Sequence, residues 1–287
     1  MKLTTLIENS LGENKSLTNE HGLSMFIETP ESTILFDTGK TGDFIENAKK
    51  LNVDLKKVDY LILSHAHYDH CGGVKKFLNA FNIKPKFYVS EYFFDNMDKY
   101  HYYANNKKLD FSDNTDTYKY IGIDFDKDFI ENKGLEVNFV DSNIIKISSS
   151  IYIFTNFEKT NEIEKLNPNM KVKINNNYVT DTFKDEIVLA IDTEKGLLIL
   201  TGCSHPGIIN IVDTIRKRTN KKIYGVIGGT HLVEADKSRI EATIKHFKKL
   251  GIELIGVSHC TGETAVKMFK KQCNNFFINS TGTTIEI

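Results

Sequence analysis

Four side chains of the kind that bind metal ions, His65, His67, Asp69 and His70, stand within one six-residue stretch. They belong to the run Leu63-Ser64-His65-Ala66-His67-Tyr68-Asp69-His70-Cys71-Gly72-Gly73. Imidazole and carboxylate are donors for zinc, iron and manganese, and a short loop presents several at little ordering cost. A single histidine is more often a surface or satisfied core residue. Metal-type donors this dense, left unpaired, would cost desolvation and, below neutral pH, charge repulsion. The cluster therefore points to metal chemistry. His65 and His67 alternate along extended backbone, point the same way and suit one ion; Asp69 and His70 suit a second. Asp69 could also orient a nucleophile or accept a proton.

The flanking elements must position this cluster. Val58 to Leu63 is short and apolar and reads as a buried strand, Gly72-Gly73 frees the backbone, and Val74 to Leu78 resumes with helical spacing. The donors thus sit at the C-terminal end of a strand, where open α/β sheets build sites. Upstream, Leu3 to Glu8 reads as a strand, and Leu23–Glu28 with Thr33–Asp37 as a hairpin ending in Asp37-Thr38-Gly39. Asp37 is a second-sphere acceptor for a ligand histidine N–H or a turn-forming aspartate. Asp43 to Leu51 has helical spacing, and Lys86 to Ser90 reads as a strand.

Residues 91–150 are rich in tyrosine, asparagine and aspartate, and 155–185 are polar and loop-like. The segment from about 91 to 185 is an insertion or variable region, with its tyrosines assigned to packing. Regular structure returns in the hairpin Glu186–Asp192 and Leu197–Thr201. Then come a helix at Ile208–Thr219, a strand at Lys222–Ile227, a helix at Asp236–Leu250, a strand at Glu253–Val257, a helix at Gly262–Lys271 and a last strand at Phe276–Ile278. Three of these strand ends carry a histidine just beyond: His205, His231 and His259. His205 and His259 are the distal ligand candidates, one for each ion. His231 is a candidate catalytic or substrate-contacting residue, and His21 a candidate for the mouth of the site; His101 and His246 read as surface residues. A weak repeat links the hairpins ending at Gly39 and Gly202, and the strands ending Leu63-Ser64-His65 and Val257-Ser258-His259. Two βα halves meeting at one site are expected.

With 287 residues, 40% hydrophobic and 26% charged, the chain has the composition of a soluble globular protein. A net charge of −1 supplies no basic field for nucleic acid. Arginine occurs only at Arg216, Arg218 and Arg239, so a bidentate arginine clamp on a phosphate is not expected. Cys71, Cys203, Cys260 and Cys273 show no CxxC spacing. The N-terminus lacks the apolar core of a signal peptide, and no apolar run reaches about 18 residues. A cytoplasmic protein with free thiols, a small-molecule substrate, and no nucleic-acid or membrane partner is expected.

His65-Ala66-His67-Tyr68-Asp69-His70 resembles the HxHxDH signature of the metallo-β-lactamase superfamily, as do Asp37-Thr38-Gly39 upstream and the late Ser258-His259. The resemblance implies an α/β fold, a four-layer αβ/βα sandwich of two pseudo-repeated halves forming a single domain over 1–287. It also implies a pair of divalent metal ions, zinc first, with manganese or iron as alternatives. Most of the superfamily carries a metal-bridging aspartate where Cys203 stands here, so Cys203 is a candidate ligand. A ligand histidine usually lies between the two motifs; only His101 is there, with Asp181, Asp185 and Glu186 as other donors. Glu20-His21-Gly22, Thr201 to Ile208, Gly228 to Leu232 and His259 to Gly262 resemble the branch of 7,8-dihydropterin-6-methyl-4-(β-D-ribofuranosyl)aminobenzene-5′-phosphate synthases. The activity implied is hydrolysis of a small ester, lactone or phosphate-containing substrate by water activated on the metals. The alternatives are the synthase-type transfer and a non-catalytic ligand-binding member of the fold.

Overall fold

The computed structural model describes residues 1–103 and 117–287. In the first half the strands are β1 (Lys2–Ile7), β2 (Ser24–Glu28), β3 (Thr33–Phe36), β4 (Tyr60–Ile62), β5 (Lys86–Ser90), β6 (Lys99–Tyr103), β7 (Thr117–Tyr120) and β8 (Val137–Val140). Their helices are α1 (Phe44–Lys50), α2 (Tyr68–Cys71), α3 (Val74–Ala80) and α4 (Lys127–Asn132). The second half holds β9 (Ile144–Lys146), β10 (Ile151–Phe154), β11 (Met170–Ile174), β12 (Asn177–Thr180), β13 (Val188–Thr193), β14 (Gly196–Thr201), β15 (Ile223–Gly229), β16 (Leu254–Ser258) and β17 (Thr284–Glu286). Its helices are α5 (Ile208–Thr219), α6 (Lys237–Leu250) and α7 (Glu263–Gln272).

Two large sheets form the inner layers, ordered β17-β1-β2-β3-β4-β5-β8 and β16-β15-β14-β13-β10-β9. Alternation along their strands explains why they stack. Ile34 and Phe36 of β3, and Leu189, Ile191, Leu198 and Leu200 of β13 and β14, meet between the sheets. Their neighbours Leu35, Val188, Ala190, Leu197 and Ile199 face outward to helices. Burying both faces is what a period of two on apolar strands requires. Phe44 of α1 and Phe77 of α3 cover the first sheet, and α5, α6 and α7 cover the second through Ile211, Ile244 and Phe269. The result is the four-layer αβ/βα sandwich. Each such fully buried side chain contributes roughly 1.5–3 kcal/mol. Helix α6 shows the local logic: Asp236 caps its start by accepting from Arg239 N, and Gly251 closes it in the left-handed conformation.

Parallel strands end at the site edge: β3, β4 and β5 in one sheet and β14, β15 and β16 in the other. Both halves run an antiparallel hairpin into two parallel strands, β2-β3-β4-β5 and β13-β14-β15-β16. By that order β4 corresponds to β15. The Ser-His after β4 and the Ser-His after β16 are therefore displaced by one strand and are not equivalent positions.

Three expectations are corrected here. The stretch 155–185, read as loop-like, contains β11 and β12, which with β6 and β7 form a third, four-stranded antiparallel sheet. Phe276–Ile278 is not a strand: Phe276 makes one isolated bridge to Ile255, and the last strand is Thr284–Glu286, paired with β1. Asp69 and His70 lie on the single helical turn α2 rather than in open loop, with His67 as its extended N-cap. Residues 104–116, part of the tyrosine-rich segment, lie outside the described residues. Among the described residues, no helix is long and apolar enough to cross a membrane.

Candidate metal centre

Asp37 anchors the proximal donors. It is fully buried, follows β3 and takes φ 58°. Its Oδ1 accepts the Ser64 N–H at 2.7 Å; its Oδ2 accepts the Ser64 hydroxyl at 2.7 Å and His70 Nδ1–H at 2.6 Å. Because the Ser64 proton goes to Asp37, Ser64 Oγ accepts from His65 Nδ1, 2.9 Å away. One carboxylate thus fixes Nδ1 as the N–H donor of two histidines, so that Nε2 is the atom on each left to offer a lone pair.

Those lone pairs meet other donors. His65 Nε2 is 3.0 Å from His67 Nδ1, and both group with His205 within 4.8 Å. His70 Nε2 is 3.1 Å from His259 Nε2 and 3.2 Å from Cys203 Sγ. His259 Nδ1 donates to Asn9 Oδ1 at 2.9 Å, so its Nε2 is bare as well. Asp69 Oδ2 stands 3.3 Å from that Nε2 and 3.9 Å from His70 Nε2. Cys203 belongs to three donor groups, with His65 and His70, with His259 and Cys260, and with His205 and His231. The thiol therefore lies between the two sets.

The side chains fit metal ions by a test internal to the site. His67 Nε2 and both ring nitrogens of His205 are buried with no hydrogen-bond partner, an arrangement that costs about 1–3 kcal/mol per group unless something accepts from or binds to it. Burial, with the neighbouring histidines and Lys99, holds His65, His67 and His205 well below the usual imidazole range, so they are neutral, as metal ligands must be. At His70, burial is outweighed by Asp37 and Asp69, which raise it to about 9; surroundings that hold a proton there would also hold a cation. Burial alone would raise the Asp69 carboxyl, but His70 and His259 keep it below its ordinary range.

The distal side chains are held by their backbone. Glu186 accepts the Ser204 and His205 N–H groups at 2.5 and 2.8 Å, and burial raises its carboxyl to about 8. Glu8 Oε1 accepts the His259 N–H at 2.7 Å. Ser204, His231 and His259 all take positive φ (66°, 46° and 55°), each costing about 1–2 kcal/mol for a non-glycine residue. Such strain collects where strand ends must turn side chains into one space. The His205 ring also stacks on Phe183 at 3.8 Å.

These groups open on a cavity of about 390 Å³, a size suited to a small molecule. His21, half-exposed at its mouth, reaches Asp69 Oδ2 at 3.2 Å. His231 lines it with both ring nitrogens unpartnered, its Nε2 3.6 Å from Glu234. His101, read as a surface residue, is half-buried and lines the same cavity with Tyr103, Lys119 and Met170 of the small sheet. His246 pairs with Asp213 at 2.9 Å, away from the cavity. Asp181, Asp185 and Glu186 join none of the donor groups; Lys99 engages the two aspartates. Glu8, Asn9 and Lys99 carried no motif in the sequence, and Cys260 stood in the His259 to Gly262 stretch without being singled out as a donor.

Residues 17–146 match the metallo-beta-lactamase superfamily. The chain is 35% identical over 96% of its length to 7,8-dihydropterin-6-methyl-4-(beta-D-ribofuranosyl)-aminobenzene-5′-phosphate synthase of Methanocaldococcus jannaschii, covering 93% of that protein. Among solved structures, it superposes on Tm1679, described as a metal-dependent hydrolase of the beta-lactamase superfamily, with a TM-score of 0.79, 28% identity, and coverage of 100% of this chain and 99% of that one. Zn(2+)-bound PqqB from Methylobacterium extorquens shares the fold at a TM-score of 0.58, 9% identity and full coverage of both chains.

Proposed function

Because this chain belongs to the metallo-beta-lactamase superfamily, we propose that it is a two-metal hydrolase of a small ester, lactone or phosphate-containing substrate. The observation that carries this reading is the pairing of two donor sets, His65/His67/His205 within 4.8 Å of one another and Asp69/His70/His259 within 3.9 Å, on one small-molecule cavity with Cys203 between them. Two divalent ions there, zinc first by the mixed imidazole, carboxylate and thiol donors, would lower the pKa of water and stabilise developing negative charge. The chain's own groups do the rest. Asp69 orients the attacking water and takes up its proton. His231, buried at the cavity wall with its Nε2 3.6 Å from the Glu234 carboxylate, contacts the substrate and returns a proton to the leaving oxygen. His21, its Nε2 3.2 Å from Asp69 Oδ2 at the mouth, steadies that carboxylate by charge when protonated.

A second reading is favoured by the 35% identity to the Methanocaldococcus jannaschii synthase: transfer of a dihydropterin methyl group to a ribofuranosylaminobenzene phosphate with loss of diphosphate. One assay separates the two. Purified, metal-loaded protein is given the pterin methyl diphosphate with and without the aminobenzene partner. Hydrolysis releases diphosphate in both; release only with the partner present sinks the hydrolase reading. Elemental analysis should find two metal equivalents, falling to one in His205→Ala.

A further inference from the structure

Lys99, the first residue of β6, is fully buried. Its Nζ lies 2.5 Å from Asp181 Oδ2 and 2.9 Å from Asp185 Oδ1. A buried ammonium between two carboxylates is weak evidence for stability, because desolvation offsets much of the attraction. What the two aspartates do with their remaining oxygens is more telling. Asp185 Oδ2 accepts the Ala66 N–H at 2.8 Å, and Ala66 is the residue between His65 and His67. Asp181 Oδ1 accepts the Phe183 N–H at 2.7 Å. Phe183 takes φ 51°, stacks its ring on His205 at 3.8 Å and 8°, and sets the same ring edge-on to His67 at 5.8 Å. Lys99 Nζ sits 4.7 Å from the centroid of that ring.

One cation on the small sheet is therefore linked through Phe183 to His67 and His205, and through Asp185 and Ala66 to the turn that carries His65 and His67. Among the described residues, the side-chain hydrogen bonds of Lys99, Asp181 and Asp185 reach neither Asp69, His70 nor His259. We infer that Lys99 is a positioning residue for one metal position only. The small sheet and the His65/His67/His205 set form one unit, and the affinity of that position is set from the sheet that also lines the cavity with His101 and Tyr103. The Asp69/His70/His259 position is independent of it. This inference rests on the two-metal reading.

Lys99→Met keeps the stem and removes the charge. Zinc affinities of both positions are measured by chelator competition, and cobalt(II) spectra of the substituted protein follow ligand geometry at each. One equivalent should weaken by about 10–100-fold, the usual cost of removing a ligand's outer partner, while the other is unchanged; Lys99→Arg should restore part of the loss. In a His205→Ala background the same Lys99→Met change should alter the remaining equivalent not at all, the test of coupling by a double-mutant cycle. Should Lys99→Met fail to fold, Asp185→Asn, which keeps size and one acceptor, should give a smaller loss at the same single equivalent. Equal weakening of both equivalents, or an effect that persists in His205→Ala, overturns the inference alone. Wild-type protein that binds at most one equivalent overturns the two-metal reading and this inference with it.

Discussion

The proximal and distal halves of the donor set are held in opposite ways. His65 and His70 come from one short stretch, so covalent geometry already fixes their spacing; their rings still need aiming, and Asp37 aims both through side-chain bonds. His205 and His259 come from separate strand ends, so position is the first problem. There the bonds run to backbone: Glu186 grips the Ser204 and His205 N–H groups, and Glu8 grips that of His259. A dense motif spends its supporting residues on orientation, and scattered ligands spend theirs on placement. The small sheet adds to this division, since its Lys99 network supports both the proximal loop and the ring behind His205.

The largest expected effect tests the shared anchor. Asp37→Ala leaves the Ser64 N–H, the Ser64 hydroxyl and His70 Nδ1–H without their acceptor in a fully buried place. Stability should fall by about 3–5 kcal/mol in denaturant titration, the scale for removing one partner of a buried charged network. Both metal equivalents should weaken together, because one carboxylate aims a ligand of each set. A loss confined to one equivalent would mean that Ser64 does not carry the effect of Asp37 to His65.

The distal clamps should instead act one at a time. Glu186→Gln replaces one of the two oxygens that accept from the Ser204 and His205 N–H groups by an amide donor, and should weaken the His65/His67/His205 equivalent by about tenfold, the low end for an outer partner. Glu8→Gln should weaken only the Asp69/His70/His259 equivalent, by a similar factor. Zinc titration of the two variants side by side gives the comparison; if each weakens both equivalents, the two positions are not separately supported. Stripping metal with a chelator should lower the melting temperature of the wild-type protein, since a ligand at a hundredfold excess over Kd contributes about 2.7 kcal/mol. No shift on chelation would count against the buried, unpartnered His205 nitrogens as a metal ligand.

This contrast also explains what the sequence made legible. His65 to His70 announce themselves because the chemistry is local, and Asp37, His205, His231 and His259 follow from standing at strand ends. The clamps do not, because nothing local marks them: the bond from Glu8 to His259 spans a separation of 251 residues, and that from Asp185 to Ala66 spans 119. The small sheet was hidden differently. Met170-Lys171-Val172-Lys173-Ile174 does alternate, and Asn175 and Asn176 both take positive φ (48° and 63°), as a two-residue hairpin turn requires. Polar composition and solvent-exposed β12 side chains masked that signal. His101 was misplaced for the same reason, since its burial exists only once that sheet lies beside the cavity. Phe276–Ile278 was apolar enough to look like a strand, while the real one, Thr-Ile-Glu, gains its partner only from β1 at the other end of the chain.

The smallest predicted effect separates placement from orientation at a single ligand. Phe183 touches His205 by its ring face, whereas Glu186 touches it by backbone alone. Phe183→Leu keeps an apolar side chain but removes the stack, worth about 0.5–1.5 kcal/mol for an aromatic pair. If placement dominates for scattered ligands, the His65/His67/His205 equivalent should weaken by no more than about tenfold, the conversion of roughly 1.4 kcal/mol, and by less than in Glu186→Gln. The Asp69/His70/His259 equivalent should not move. A larger loss in Phe183→Leu than in Glu186→Gln would reverse the ordering. The distal histidine would then be held, like the proximal ones, by what aims its ring, and the two halves of the site would be built on one rule.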